Sequence, residues 1–184
     1  MKDTIGLLRR YFDAEPLDIV VTHSRCVADL ALEIAAHLSL TDAERIFIEE
    51  AAMLHDIGVS LVHAPGLGLK GKYPYIQHGT LGRSILEREG YAEHGLVSER
   101  HTGVGLTRED IIRQGLPLPH RDMVPVSLPE QIICFADLFY SKKPGHLTER
   151  KSIPLVRSKL IPFGEDKVAQ FDRWLEQFRS GAGE

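Results

Sequence analysis

The amino-acid sequence predicts an all-α protein, and three observations favour that fold class. Apolar residues recur at three- and four-residue steps along nearly the whole chain, which is the spacing of amphipathic helices. Thr or Ser residues followed three positions later by Glu or Asp mark several helix starts. The chain has 184 residues, of which 43% are hydrophobic, so it can bury one core without disulfides. We therefore expect a single domain over residues 1–184.

The first third of the chain predicts three helices. Apolar residues between positions 7 and 12 form a short amphipathic segment, and those from 20 to 38 predict a long helix over about residues 18–37. Thr41 and Glu44 form a capping box that opens a third helix, which Gly58 can close. Residues 59–75 then break the helical pattern, because Pro and Gly crowd that stretch. We expect a long loop there, beside the end of the third helix.

Helical spacing resumes after this loop. One helix ends at Gly90, another covers residues 92–101, and Thr107 with Asp110 caps a short one that ends at Gly115. After a Pro-rich connection, Ser127 caps a strongly apolar helix that we expect to continue as far as Pro144. A final helix covers about residues 164–179, followed by a frayed tail over residues 180–184.

Composition and charge exclude several classes of protein. The formal net charge is −4, and no basic surplus indicates a nucleic-acid polymer or a membrane surface as partner. The two cysteines, Cys26 and Cys134, lie apart without a CxxC motif, so a thiolate zinc site is not expected. No signal-peptide pattern and no run of 18 apolar residues occurs. We expect a cytoplasmic protein that is a monomer or a homodimer.

Histidines and aspartates at particular positions suggest metal chemistry. The chain has nine histidines, and the pair His55-Asp56 ends the third predicted helix. His23 lies inside the apolar second helix, and Asp137 interrupts the most apolar helix of the chain. A carboxylate on a buried face is costly unless it is paired or binds a metal. Taken singly, each of these residues also fits an ordinary structural role, such as a core histidine bonded to the backbone.

In their order and spacing, these residues resemble the HD-domain metal-dependent phosphohydrolases of the HDIG type, in particular the small, uncharacterised HDIG branch. The resemblance rests on the motif His55-Asp56-Ile57-Gly58 and the segment Glu99-Arg100-His101-Thr102-Gly103, and on residues 115–119 leading into 133–137. It implies a compact helical bundle around a buried metal site, with a metal-binding core over about residues 18–143. The implied metal ligands are His23, His55, Asp56, His78, His101 and Asp137.

Imidazole and carboxylate ligands suit Fe, Mn, Co, Ni or Zn. His23, His55, Asp56 and Asp137 can hold one metal, while His78 and His101 add nitrogens for a second. Asp56 has two oxygens and can bridge the pair, so we assign it the catalytic role. Two metals can generate a hydroxide and clamp both oxygens of a displacement at phosphorus. The resemblance therefore implies a phosphohydrolase, a monoesterase or diesterase, acting through a metal-bound hydroxide on a nucleotide or another small phosphoester.

Four basic residues are candidate contacts for the substrate phosphate: Lys70, Lys72, Arg100 and Lys142. Each also fits the role of a solvated surface charge. Two other functions stay open at this point. Similar six-ligand sites occur in mixed-valent di-iron oxygenases that act on polyols or organophosphonates, and some HD domains bind without catalysis. HD-type guanosine polyphosphate hydrolases carry a Glu-Asp pair shortly after the His-Asp pair, whereas this chain has Val59-Ser60-Leu61 there.

Overall fold

The computed structural model describes residues 2–178 and confirms the all-α fold class. The described α-helices are α1 (Thr4–Arg9), α2 (Ala14–Ala36), α3 (Asp42–Leu54), α4 (His78–Arg88), α5 (Ala92–Arg100), α6 (Arg108–Arg113), α7 (Leu128–Asp137), α8 (Ile153–Leu160) and α9 (Glu165–Gln177). The predicted final helix is present as α9. The predicted frayed tail, residues 180–184, lies outside the described residues. No helix among residues 2–178 is both long enough and apolar enough to cross a membrane.

The predicted helix starts are confirmed at α3, α6 and α7. The Thr41 hydroxyl accepts a hydrogen bond from the backbone N–H of Glu44, and the Glu44 carboxylate accepts one from the Thr41 N–H. Thr107 and Asp110 form the same reciprocal pair at α6, and Ser127 caps α7. These local bonds satisfy backbone N–H groups that a helix start otherwise leaves unpaired.

Helix α7 ends at Asp137, seven residues before the expected limit at Pro144. After Asp137 the backbone tightens, since the N–H of Phe139 bonds to the carbonyl of residue 136. The chain then pairs with a later segment, where the Lys151 N–H donates to the Phe139 carbonyl at 2.8 Å. The Lys151 ammonium also donates to the carbonyl of Leu138 at 2.9 Å. After Asp137, hydrogen bonds to Lys151 therefore replace the backbone hydrogen bonds that would continue helix α7.

Residues 59–75 are folded onto the bundle rather than forming a structureless loop. A 3₁₀ helix over Ile57–Leu61 precedes two two-residue strands, β1 (His63–Ala64) and β2 (Leu69–Lys70), which pair antiparallel. Val59 and Val62 are fully buried, and Leu69 is nearly so. Further 3₁₀ turns cover Pro65–Leu67, Tyr75–Gln77 and, near the C-terminus, Ile161–Phe163. Buried aliphatic side chains therefore anchor this Gly- and Pro-rich segment.

Helix α8 was not anticipated from the sequence. Pro154 lies in its first turn, and its buried side chains are Val156 and Leu160. With only eight residues, the helix gives too few periodic positions for a clear pattern. It packs against α9.

Two hydrophobic clusters flank the middle of the bundle. The larger one joins α2, α3, α7 and α9 and includes a group of aromatic rings centred on Phe135, which stacks on Phe171 at 5.5 Å. The second joins α1, α2, α4 and the Ile57–Leu61 turn, and includes Leu8, Leu54 and Ile85. Helix α2 contributes to both clusters. The polar residues described next are carried by elements of both.

Candidate metal centre

Six residues from five helices or their ends converge in the interior of the bundle. They are the six that the sequence predicts as metal ligands: His23, His55, Asp56, His78, His101 and Asp137. Asp56 is completely buried, and the four histidines are at most 5% exposed. The Asp137 side chain, 17% exposed, is the one of the six that reaches toward solvent.

Most of these side chains stand at helix ends. His55 and Asp56 follow the last residue of α3, His101 follows the last residue of α5, and Asp137 ends α7. His78 is the first residue of α4, while His23 lies in the middle of α2. Helices α2, α3, α4, α5 and α7, or their ends, thus supply the predicted ligands in the order of the chain.

Glycines allow three of these segments to pack in unusually close contact. A Cβ atom on Gly58 would lie under 3.0 Å from backbone atoms of His78 and Gly82. A Cβ on Gly79 would lie 2.7 Å from the carbonyl oxygen of Ser98. Gly58 was expected to close the third helix, but that helix ends at Leu54 and Gly58 lies inside the following 3₁₀ turn. Its role is to let this turn pack directly on α4, which places Asp56 near His78.

One oxygen of Asp56 belongs to a ring of four ligand atoms. Asp56 Oδ2 lies 3.3 Å from His23 Nε2 and 3.1 Å from His55 Nε2. Asp137 Oδ1 closes the ring, at 2.9 Å from His23 Nε2 and 3.5 Å from His55 Nε2. Metal–ligand bonds of about 2.0–2.2 Å place neighbouring ligand atoms roughly 3 Å apart. These four atoms therefore have the spacing of a first coordination sphere.

The other oxygen of Asp56 faces a second pair of histidines. Asp56 Oδ1 lies 3.7 Å from His78 Nε2 and 3.6 Å from His101 Nε2, and these two nitrogens are 3.1 Å apart. Burial, together with the neighbouring His101, lowers the pKa of His78 to about 3, so its imidazole is neutral at pH 7. The lone pair on His78 Nε2 thus faces two other acceptor atoms, His101 Nε2 and Asp56 Oδ1. A cation bound between these atoms would stabilise this arrangement.

Backbone carbonyls fix the orientation of three imidazoles. The Nδ1 atoms of His55, His78 and His101 lie 2.6–2.8 Å from the carbonyls of Ala52, Tyr75 and Ser98. Because a carbonyl only accepts, each Nδ1 carries a proton and each Nε2 is turned toward the centre. The Ser98 hydroxyl in turn donates to the His55 carbonyl at 2.7 Å. Sequence reasoning missed Ser98, since nothing local links it to a partner 43 residues away.

The centre fits a cation on the basis of its own unpaired atoms. Among residues 2–178, no group makes a hydrogen bond of good geometry to either oxygen of Asp56 or to His55 Nε2. Buried polar atoms that lack hydrogen bonds are costly, and the ion pair of Lys142 with Asp56 Oδ2 leaves Asp56 Oδ1 and His55 Nε2 unsatisfied within the described part of the chain. Burial alone lowers the pKa of His55, but Asp56 and Asp137 together raise it to about 10. The centre thus attracts positive charge, and its donor set suits a divalent transition metal.

Lys142 is the predicted substrate contact that the structure places at this centre. Its Nζ lies 2.5 Å from Asp56 Oδ2 and 3.3 Å from His23 Nε2. Burial alone would lower the pKa of Lys142, but Asp56 and Asp137 hold it above its usual range. Burial alone would raise the pKa of Asp56, while His55 and Lys142 hold it well below its usual value. The ammonium is therefore charged and faces the carboxylate.

The other three predicted contacts lie elsewhere. Arg100 forms a two-point hydrogen bond with Glu130, at 2.9 and 3.1 Å. Lys70 and Lys72 are exposed, and the Lys72 ammonium lies 5.3 Å from the centre of the Tyr73 ring. Tyr75, by contrast, lies beside the centre, with its ring 5.0 Å from that of His78. Among residues 2–178, no hydrogen bond or ion pair joins the side chain of Lys70, Lys72 or Arg100 to a side chain of the six.

Comparisons with known proteins agree with this geometry. The family model described as HD domain matches residues 20–141, more than half of the chain. An uncharacterised protein of Methanocaldococcus jannaschii is 34% identical over 121 residues, which is 64% of each chain. A tRNA (cytidine(56)-2'-O)-methyltransferase of Picrophilus torridus is 30% identical over 121 residues, which cover 65% of this chain and 31% of that relative. The matches span less than two thirds of either relative, and no solved structure matches significantly.

Proposed function

The chain belongs to the HD domain family, and from this premise we propose that it is a phosphohydrolase with two divalent metals, acting on a small phosphoester. Membership of the family supports metal-dependent hydrolysis of phosphoesters as the reaction class. The donor set of the centre supports Fe, Mn, Co, Ni or Zn as the metal. The pair of metals, the substrate and the individual residue roles are parts of the proposal.

One observation supports two metals above all: the two oxygens of Asp56 face different sets of histidines. Oδ2 belongs to the ring formed with His23, His55 and Asp137, while Oδ1 faces His78 and His101. A carboxylate placed in this way is suited to bridge two cations. Two metals about 3.5–4 Å apart lower the pKa of bound water and stabilise charge on the oxygens of a displacement at phosphorus.

The protein's own residues would hold and orient the phosphoester. Asp137 and Lys142 stand on the side of the centre that reaches solvent, with side-chain exposures of 17% and 13%. We assign Lys142 to an anionic phosphoryl oxygen, because its ammonium is charged and already directed at the centre. Asp56 remains the catalytic carboxylate of the proposal. Arg100 has a weaker case, since Glu130 already occupies its guanidinium.

The substrate class that we propose first is a small phosphoester, with nucleotides included. The net charge of −4 does not favour a long nucleic-acid strand. A second candidate is a phosphate group on RNA, which one observation favours: a matching stretch of similar length occurs in the Picrophilus protein that is named a tRNA methyltransferase. A substrate panel that includes RNA fragments with terminal phosphates distinguishes the two.

The test is a phosphate-release screen on protein purified without oxygen, after its metals have been measured. We expect phosphate release from one class of phosphoester in the complete absence of oxygen, and none from Asp56→Ala. The alternative is a di-iron oxygenase acting on a polyol or an organophosphonate. Iron in the purified protein, with turnover that consumes oxygen and stops without it, would establish that alternative and overturn the hydrolase.

A further inference from the structure

An apolar cavity is lined in part by residues that are close in the chain to two candidate metal ligands, and it has no task in the function proposed so far. Its volume is about 340 Å³, within the size range of ligand pockets. Its apolar lining includes Ile76, Val104, Leu106, Leu116, Leu160 and Phe163. Phe163 is half exposed and stands at the rim, while Val104 and Leu160 are buried.

Two walls of the cavity continue the segments that carry candidate metal ligands. Thr102 and Gly103 line the cavity and directly follow His101. Ile76 lines it from another side and lies two residues before His78, in the 3₁₀ turn whose Tyr75 carbonyl orients that imidazole. The segments that carry His78 and His101 therefore border the cavity, while none of the six candidate ligands is part of its lining.

The wall after His101 is held in place by bonds from other elements. Leu106 and Met123 exchange two backbone hydrogen bonds, at 2.9 and 2.7 Å, as an isolated bridge. The buried Cys134 thiol on α7 donates to the Gly103 carbonyl at 3.2 Å. Because a cavity that is rigid before binding avoids part of the entropic cost of ordering, these bonds favour ligand binding.

The cavity lining offers few polar groups with which a bound ligand could form hydrogen bonds. The ammonium of Lys167 reaches the cavity but is buried and paired with Asp110, and it also donates to the Gly105 carbonyl. The other polar side chains in the lining are Thr102 and Gln114. A group rich in hydroxyls would lose hydrogen bonds to water here without regaining most of them. A hydrocarbon or aromatic group would lose none.

We propose that this apolar cavity binds the organic group of the phosphoester substrate, and that this group is a hydrocarbon or an aromatic ring. The inference rests on the proposed function, because it requires the phosphate to lie at the metal centre. It narrows the substrate from any small phosphoester to one whose esterified group is apolar. Sugar and polyol phosphates are then poor substrates.

The test is calorimetric binding of two phosphonates to the anaerobic, metal-loaded protein. Phosphonates carry a C–P bond, which a phosphoester hydrolase leaves intact, so binding is measured without turnover. We expect 1-naphthylphosphonate to bind at least about tenfold more tightly than methylphosphonate. Leu116→Trp fills the cavity, and this variant should bind both compounds with the affinity that the unmodified protein has for methylphosphonate.

Ile161→Trp is the matched control, because it places the same ring on an exposed position outside the cavity lining. It should keep the full preference for the naphthyl compound. Phe163→Ala removes the half-exposed ring at the rim and should reduce the preference by about threefold even if Leu116→Trp folds poorly. Equal binding of the two phosphonates overturns the cavity proposal alone. Binding of neither, together with no phosphate release, overturns the proposed function as well.

Discussion

The Nζ atom of Lys142 lies 2.5 Å from Oδ2 of Asp56, inside a group of four buried histidines. A fixed positive charge thus stands beside the carboxylate that we assign to the metals. The ammonium contacts the same oxygen as His23 and His55. It would therefore compete with a metal ion for that oxygen, and the proposed function assigns it to the phosphoryl group of the substrate.

Replacing Lys142 with Gln should separate substrate binding from metal binding. We expect KM for an anionic phosphoester to rise about tenfold, because one charged contact in a partly desolvated site is lost. Metal affinity should be unchanged or higher, because the competing ammonium is gone. Lys143→Gln, at the exposed neighbouring position, is the control. A loss of metal in Lys142→Gln would show that the lysine supports the structure of the centre instead.

The exposed lysines at positions 70 and 72 should have a smaller effect. We expect Lys70→Ala with Lys72→Ala to raise KM for an anionic substrate about two- to threefold at low salt, with unchanged metal content. The difference should vanish at high ionic strength, because exposed charges are screened. Steady-state kinetics at two salt concentrations measures this. A KM that equals that of the unmodified protein at low salt would leave both lysines as solvated surface charges.

Gly58 should be required for the packing that positions Asp56 near His78. Gly58→Ala places a methyl group against backbone atoms of His78 and Gly82, so the 3₁₀ turn and α4 must move apart. We expect a loss of about 1–3 kcal/mol in the free energy of unfolding, measured with denaturant. Bound metal should fall as well.

The matched control is Gly66→Ala, where an added Cβ meets nothing within 4 Å. Its free energy of unfolding should change by less than about 0.5 kcal/mol. Equal stability and equal metal content of Gly58→Ala and Gly66→Ala would contradict the packing role of Gly58.

Asp110 should make the stability of the protein depend on pH in the acid range. Burial alone raises the pKa of Asp110, but bonds from Lys167, Thr107 and Arg113 hold it well below its ordinary value. The unfolded chain therefore takes up a proton on Asp110 near pH 4, while the folded protein does not. Stability from this group is present above that pH and is lost as pH falls further.

Asp110→Asn should flatten the fall in the free energy of unfolding below about pH 4, because the titrating group is gone. At pH 7 it should cost about 3 kcal/mol, because the buried Lys167 loses its partner. Denaturant unfolding at pH 7, 4 and 2.5 measures both effects. Asp18→Asn, at an exposed position on α2, is the control. An unchanged slope in Asp110→Asn would refute the assignment.

The features that the sequence predicts well are those encoded locally. The reciprocal bonds of Thr41 with Glu44 and of Thr107 with Asp110 involve residues three positions apart, so their spacing is visible in the chain. Asp137 is similar, because a carboxylate within an apolar helix already conflicts with burial unless something pairs with it. Its neighbours, His23 and His55, follow from the resemblance to a family with known ligands.

The features that the sequence does not reveal depend on tertiary contacts. Lys142 is a candidate contact from the sequence, but its position beside His23, 119 residues away, follows only from the folded chain. The end of α7 is set by bonds to Lys151 rather than by Pro144. The close approach at Gly58 likewise depends on where α4 packs. Each of these contacts forms only when distant segments meet.

The most direct test is the number of metal equivalents bound, measured by elemental analysis after anaerobic saturation with Mn, Fe, Co or Ni in turn. We expect two equivalents for the unmodified protein and for His37→Ala, an exposed histidine. About one should remain in His78→Ala and in His101→Ala, and almost none in Asp56→Ala, while circular dichroism shows the helices retained. A bridging Asp56 would be contradicted if the unmodified protein never bound more than one equivalent, or if Asp56→Ala still bound two.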